Sequence, residues 1–276
     1  MKKYILFGCL FLFFFSCKKD KNTNTGNTTP APIPVGEVPT SFTRKVLIEN
    51  FKGEWNPNCP VGDDSLKAML ALDTFKILAA SIHQGDWLAI TPFFNSISAH
   101  LGGVNGFPRA SINRVPATLG TQIDSTVISI FNWRQNLNAL ISQSATCGLA
   151  LVSKLENDQL NVKVYVGYND SILENTRLTL YLIEDNIVAQ NQLNAPQGYI
   201  HHHVVRDVIT SYTGDSISMK SGNLVVKEYT RSITGKYSIK NQLKLVALIH
   251  VVGVDYKENE VLNCQISTLG ETKKWD

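Results

Sequence analysis

Thiols and imidazoles are the side chains of this chain with the most chemistry to offer: it holds five cysteines and six histidines. Cys59 stands in Trp55-Asn56-Pro57-Asn58-Cys59-Pro60, where proline suits the first turn of a helix. A helix N-terminus favours the thiolate form, so redox or adduct chemistry at Cys59 is one reading. Dithiol exchange, however, needs a second thiol to release the mixed disulfide. Three residues before Cys59 stands Asn56, so a 56–59 disulfide cannot form, and no C-x-x-C pair occurs in residues 17–276. The other readings are a buried structural thiol, or pairing with Cys147 or Cys264. His201-His202-His203 invites a metal reading. On a strand His201 and His203 share one face, and two ligands need a third, from His250, Asp207 or Glu184. No spacing singles one out, so a structural or surface set is the competing reading. His83 ends an apolar run at the kind of strand end where ligand sites form. Ser65 and Ser111 have no nucleophile elbow or paired base, and the chain has no P-loop, G-x-G-x-x-G or H-E-x-x-H.

The first residues read as an export signal. Lys2 and Lys3 precede an apolar run from Ile5 to Phe15, too short for a spanning helix of about 20 residues. Ser16-Cys17 closes it, and a small residue before cysteine resembles a lipobox. Residues 1–16 are therefore expected to be a lipoprotein signal peptide, with Cys17 carrying the lipid, palmitate among its acyl chains. Residues 17–40 are polar and proline-rich, and should be a disordered tether. This covalent lipid is the only cofactor expected. The anchor makes the membrane one partner, and an envelope or surface protein or glycan another. A net charge of +3 without a basic, aromatic-interleaved stretch argues against nucleic acid.

Two rhythms follow the tether. Residues 45–51 and 75–83 are apolar runs suited to covered strands, with a helix predicted at 60–73 between them. A second helix is predicted at 92–101, a short strand at 110–113 and a long amphipathic helix at 123–141. This order suits an α/β domain over residues 41–145. Beyond it, residues 149–152, 160–166, 178–183 and 243–249 alternate apolar and polar between turn-prone pairs. They suggest an antiparallel sandwich over residues 146–276.

Residues 46–60 resemble the first strand and redox turn of a thioredoxin, where Trp precedes C-x-x-C at the start of a helix. Trp55, Cys59 and Pro60 keep that turn, Cys59 matching the resolving cysteine, and Asn56 stands at the nucleophile. Gly106-Phe107-Pro108-Arg109 resembles the thioredoxin cis-proline segment, which lies opposite the redox turn and shapes the peptide-docking surface. A trans turn proline is the alternative for Pro108. Together with Leu182-Ile183-Glu184-Asp185 and Tyr199–Arg206, these segments resemble the twenty-eight-kilodalton outer-membrane protein family over roughly residues 45–270. The resemblance implies a thioredoxin-like α/β domain followed by an all-β, immunoglobulin-like antiparallel sandwich, held at the outer membrane. With Asn56 at the reacting position, the expectation is a non-catalytic binding or structural module. A monothiol protein using Cys59 and a metal-binding β domain using His201 and His203 are the alternatives.

Overall fold

A computed structural model describes residues 34–169, 175–218, 223–234, 237 and 240–276. The expected signal peptide and Cys17 lie outside the described residues, but the end of the expected disordered tether does not: Val35 is buried against Ala150 and Tyr165, and Trp275 donates to the Gly36 carbonyl at 3.3 Å, because an apolar side chain there finds a core to enter. Val46–Lys52 (β1) and Ile77–His83 (β2) are buried at every position and pair in parallel, as strands covered on both faces must. Between them runs Cys59–Leu70 (α1), with a proline in its first turn. Thr91–His100 (α2), Arg109–Ile112 (β3), Ile128–Ser129 (β4) and Ile130–Ile141 (α3) follow. The long helix predicted at 123–141 is therefore shorter. Asp124 takes φ 65°, and Ile128–Ser129 extends as β4, so the helix starts only at Ile130.

The second half supplies Cys147–Glu156 (β5), Gln159–Tyr168 (β6), Thr176–Glu184 (β7), Ile187–Val188 (β8), Ile200–His201 (β9), Val204–Val208 (β10) and Asp215–Ser216 (β11). Leu224–Ser232 (β12), Leu243–Val251 (β13), Val261–Thr268 (β14) and Thr272–Lys273 (β15) complete it. The described chain is thus mostly β with three α-helices, in one mixed sheet, one antiparallel sheet and a small two-stranded ribbon.

The mixed sheet runs β14-β13-β7-β10-β2-β1-β3-β4, with β11 also on β7. Its central join is β10 beside β2, through Val204 opposite Ser81. The Ser81 amide donates to the His203 carbonyl at 2.7 Å. Strands from both sides of residue 145 therefore share one sheet. The far end of that sheet packs against the antiparallel sheet β12-β6-β5-β15.

Alternation along the strands assigns the faces. Leu47 and Phe51 of β1, Tyr181 and Ile183 of β7 and Val246 of β13 pack with Phe93 and Ile97 of α2. On the opposite face Val46 and Ile48 meet Leu66 of α1 and Trp133 of α3. Further along that face Leu178, Leu180 and Leu245 meet Leu149 and Val164 of the antiparallel sheet. The fold is layered, and each side of the large sheet is covered.

A buried ion pair links β1 to β7 across β10 and β2. Arg114, wholly buried at φ 57°, donates from Nε and Nη2 to both oxygens of Glu49 at 2.8 Å. Tyr181 on β7 donates its hydroxyl to Glu49 Oε1 at 2.8 Å and accepts from Arg114 at 2.9 Å. Burial alone would raise the Glu49 carboxyl; the charge of Arg114 and the hydrogen bonds of Arg114 and Tyr181 outweigh it and hold it low. Removing one partner strands a buried charge. Glu49→Ala should lower the unfolding free energy of the full chain by about 3–5 kcal/mol in urea denaturation. A loss below about 1 kcal/mol, the range of surface pairs, would contradict this.

Candidate functional site

The turn between β1 and α1 carries Asn56 three residues before Cys59. The Asn56 amide donates to Gly53 O at 3.1 Å, and the Cys59 amide to Asn56 O at 3.2 Å. The Asn56 side-chain oxygen accepts from the Asn58 amide at 2.9 Å. Its carboxamide thus meets an otherwise orphan amide at the start of α1 with a neutral acceptor. Trp55 donates from Nε1 to Gln84 O at 2.7 Å and stands edge-on to Phe107 at 5.3 Å. That placement requires glycine at 53, because a Cβ there would lie 2.5 Å from Trp55 Nε1.

Cys59 is wholly buried. Burial pushes its thiol pKa up, and neither a backbone hydrogen bond at Gly53 nor the Lys52 charge cancels that. Cys147 and Cys264 are also buried, and all three thiols are free, so the disulfide reading of Cys59 does not hold. Burial pushes both of the latter up to about 12. The Phe107–Pro108 bond is cis. Gly62 of α1 lets this loop approach, since a Cβ at 62 would lie 2.7 Å from Pro108 Cβ.

Beneath the turn lies a polar cluster that sequence reasoning missed. Lys52, wholly buried at the end of β1, pairs with Asp63 of α1. It also stands 3.1 Å from His201 Nδ1. Since an ammonium only donates, Nδ1 accepts, and Nε2–H donates to Glu54 Oε1 at 3.1 Å. Tyr199 donates its hydroxyl to Asp63 at 2.6 Å. His83 lies at 2.6 Å from Asp86, which also accepts the Glu54 amide at 2.9 Å. The rings of His83 and His201 stand edge to face at 4.9 Å. Burial pushes His201 down to about 4, reinforced by the Lys52 charge. Burial lowers His83 too, against the pull of Asp86.

A strap from the segment between β8 and β9 covers this cluster. The amides of Gln190 and Asn191 donate to the two oxygens of Glu54, each at 3.1 Å. The Leu193 amide donates to Glu54 O at 2.8 Å. Gln192 Nε2 reaches Asn56 O at 3.2 Å, and Asn194 Nδ2 reaches Pro57 O at 3.1 Å. The one sequence signal for it is the amide-rich run Gln190-Asn191-Gln192, which is too common in loops to be diagnostic.

The histidine triplet does not converge on a point. His201 is held as above, His202 is half exposed, and His203 at φ 58° lies 3.3 Å from Asp185. The third ligands considered are occupied elsewhere: His250 against Thr179, Asp207 with Arg231 and Glu184 with Arg206. Among the described residues no group of three His, Cys, Asp or Glu is placed to hold a metal ion.

A model of the family described as Outer membrane protein Omp28 matches residues 96–273, more than half of the chain. The chain belongs to the Omp28 family. Membership places it in the cell envelope, at the outer membrane. Among the described residues no helix is long and apolar enough to cross a membrane. The Omp28 match takes in the cis-proline loop, the strap and the histidine triplet, and begins after the 53–60 turn.

HBP35 of Porphyromonas gingivalis aligns at a TM-score of 0.72 and 17% identity, over 86% of this chain and 78% of its own. A protein of Agrobacterium tumefaciens aligns at 0.55 and 15% identity, over 85% and 98%. A domain of the outer membrane lipoprotein Omp28 from Porphyromonas gingivalis covers 45% of this chain and 88% of its own, at 16% identity and a TM-score of 0.32. At such identities the first two likenesses concern the fold alone. No curated protein matches the sequence.

The buried histidines of this Omp28 chain make its stability depend on pH. Their folded pKa lies below the unfolded value of about 6.5, so the unfolded chain takes up protons first as pH falls. The stabilisation is complete above about pH 6.5. It is lost towards the value of about 4 held by His201. The melting temperature of the full chain should therefore fall between those limits. His201→Gln, which keeps a donor and an acceptor but does not titrate, should flatten the slope. Equal slopes in the two proteins would contradict this.

Proposed function

We propose that this Omp28 chain is a lipid-anchored binding module that performs no thiol chemistry. Asn56 at the nucleophile's place carries the reading: one thiol cannot resolve its own mixed disulfide. The burial and raised pKa of Cys59 support it, because the thiolate is the reactive form. In this reading residues 1–16 are removed, Cys17 is acylated, and the residues between Cys17 and the buried Val35 space the body from the membrane. The elements β1 to α3 act as a thioredoxin-like part. The antiparallel sheet packed on β7 and β13 acts as an immunoglobulin-like sandwich. The binding face is the groove beside Pro108, where Val61, Phe107 and Phe131 stay partly or largely open to solvent. Its partner is an envelope or surface protein or glycan.

Insulin reduction by dithiothreitol tests this. Full-length protein in detergent should not accelerate precipitation above dithiothreitol alone. Turnover that Cys59→Ser abolishes would overturn the reading.

A further inference from the structure

At the C-terminal end of α2 lies a recess of about 160 Å³ whose lining is rich in hydrogen-bond donors and holds no carboxylate. Arg109, at the start of β3, supplies its charge. Arg44, Arg114, Arg206 and Arg231 each pair with a carboxylate, and among the described residues Arg109 pairs with none. Gln122 supplies an amide of fixed orientation. Its Oε1 accepts from the Ser129 amide at 2.6 Å and from Asn132 Nδ2 at 3.1 Å, which leaves Nε2 without an acceptor among the described residues. Asn105 Nδ2 and the Tyr256 hydroxyl are two more donors in the same position. The frame around them is set by backbone. The loop carrying Gln122 is closed by the Asp124 amide on Ala117 O and the Ala117 amide on Ser125 O, each at 2.9 Å. Gly102, at φ 76°, seats the Tyr256 ring, since a Cβ there would lie 2.6 Å from Tyr256 Cδ2. The Leu101 carbonyl at the negative end of α2 is met by the Thr126 hydroxyl at 2.6 Å.

We propose that this recess binds a phosphate group, free or carried as an ester. Its volume lies below the roughly 300–1,000 Å³ of sites for drug-sized ligands, so the bound group is small. Arg109 without a carboxylate excludes a cation. Leu101 and Val127, its aliphatic members, are both buried and offer an apolar ligand little surface. A guanidinium pairs two oxygens of an oxyanion through parallel hydrogen bonds. A planar carboxylate is spent on that pair, whereas a tetrahedral anion has further oxygens for Gln122, Asn105 and Tyr256. Asn105 and Tyr256 stand exposed at the rim, so the recess opens to solvent on their side and leaves room for an ester substituent.

Isothermal titration calorimetry of the full-length protein in non-ionic detergent, at constant ionic strength, tests the proposal. Inorganic phosphate should bind at one site, and acetate about tenfold more weakly, the difference that one charge-assisted contact makes. Arg109→Gln should weaken phosphate about tenfold or more. Asn105→Ala, at an exposed position, should weaken it by a smaller factor, and both variants should melt with the unaltered protein. Glycerol 3-phosphate separates the two sources of the group. If it binds as tightly as phosphate, the recess suits a phosphate ester such as a lipid headgroup; if phosphate alone binds, it suits the free ion. The absence of saturable phosphate binding, or binding that Arg109→Gln leaves unchanged, would overturn the site. Acetate binding as tightly as phosphate would overturn the choice of a tetrahedral anion.

Discussion

One carboxylate holds the candidate site together. Glu54 is nearly inaccessible, and its oxygens accept from Trp87 Nε1, His201 Nε2 and the amides of Gln190 and Asn191. A buried carboxylate is costly unless such donors surround it. Two of the four are main-chain groups of the strap, so the strap is fixed where it is because Glu54 must be satisfied. His201 extends the same chain of contacts to Lys52 and Asp63. The turn, the first helix and the β8–β9 segment are therefore one polar unit.

That unit also holds the turn between β1 and α1. A redox turn must leave one thiol open to a partner. Here Asn56 closes the helix start with its own side chain, Gln192 and Asn194 hold the turn's carbonyls, and Cys59 lies underneath. The turn's polar groups are met within the chain, while the adjoining face around Phe107 and Phe131 stays open.

Much of this was legible in the sequence, and the rest was hidden for physical reasons. The runs at 45–51, 75–83, 160–166 and 243–249 each hold a strand, starting at Val46 in the first and Ile77 in the second, because a strand's apolar pattern is local information. The turn residues Trp55, Asn56, Cys59 and Pro60 and the loop at Phe107-Pro108 come within reach of one another through Gly62 and the Trp55–Phe107 contact. The pairing of β10 with β2 was not legible, since it joins Val204 to Ser81 across more than a hundred residues with no local mark. Nor was Lys52: a lysine after an apolar run reads as a solvated strand end until Asp63 and His201 are seen beside it. His201 and His203 looked like a pair because strand alternation puts them on one face. The positive φ of His203 breaks that alternation and sends them to different partners.

Membership of the Omp28 family gives the address, the outer membrane, and the proposed role follows from what the turn lacks. The most direct measurement is the alkylation rate of Cys59 against pH in the folded full-length protein. It is followed by mass spectrometry of the Cys59 peptide, so that Cys147 and Cys264 do not contribute. We expect slow labelling with a midpoint above the free-cysteine value of about 8.5. Rapid labelling at neutral pH with a midpoint below that value would mean that Cys59 is an activated thiol and that the site is a redox centre after all.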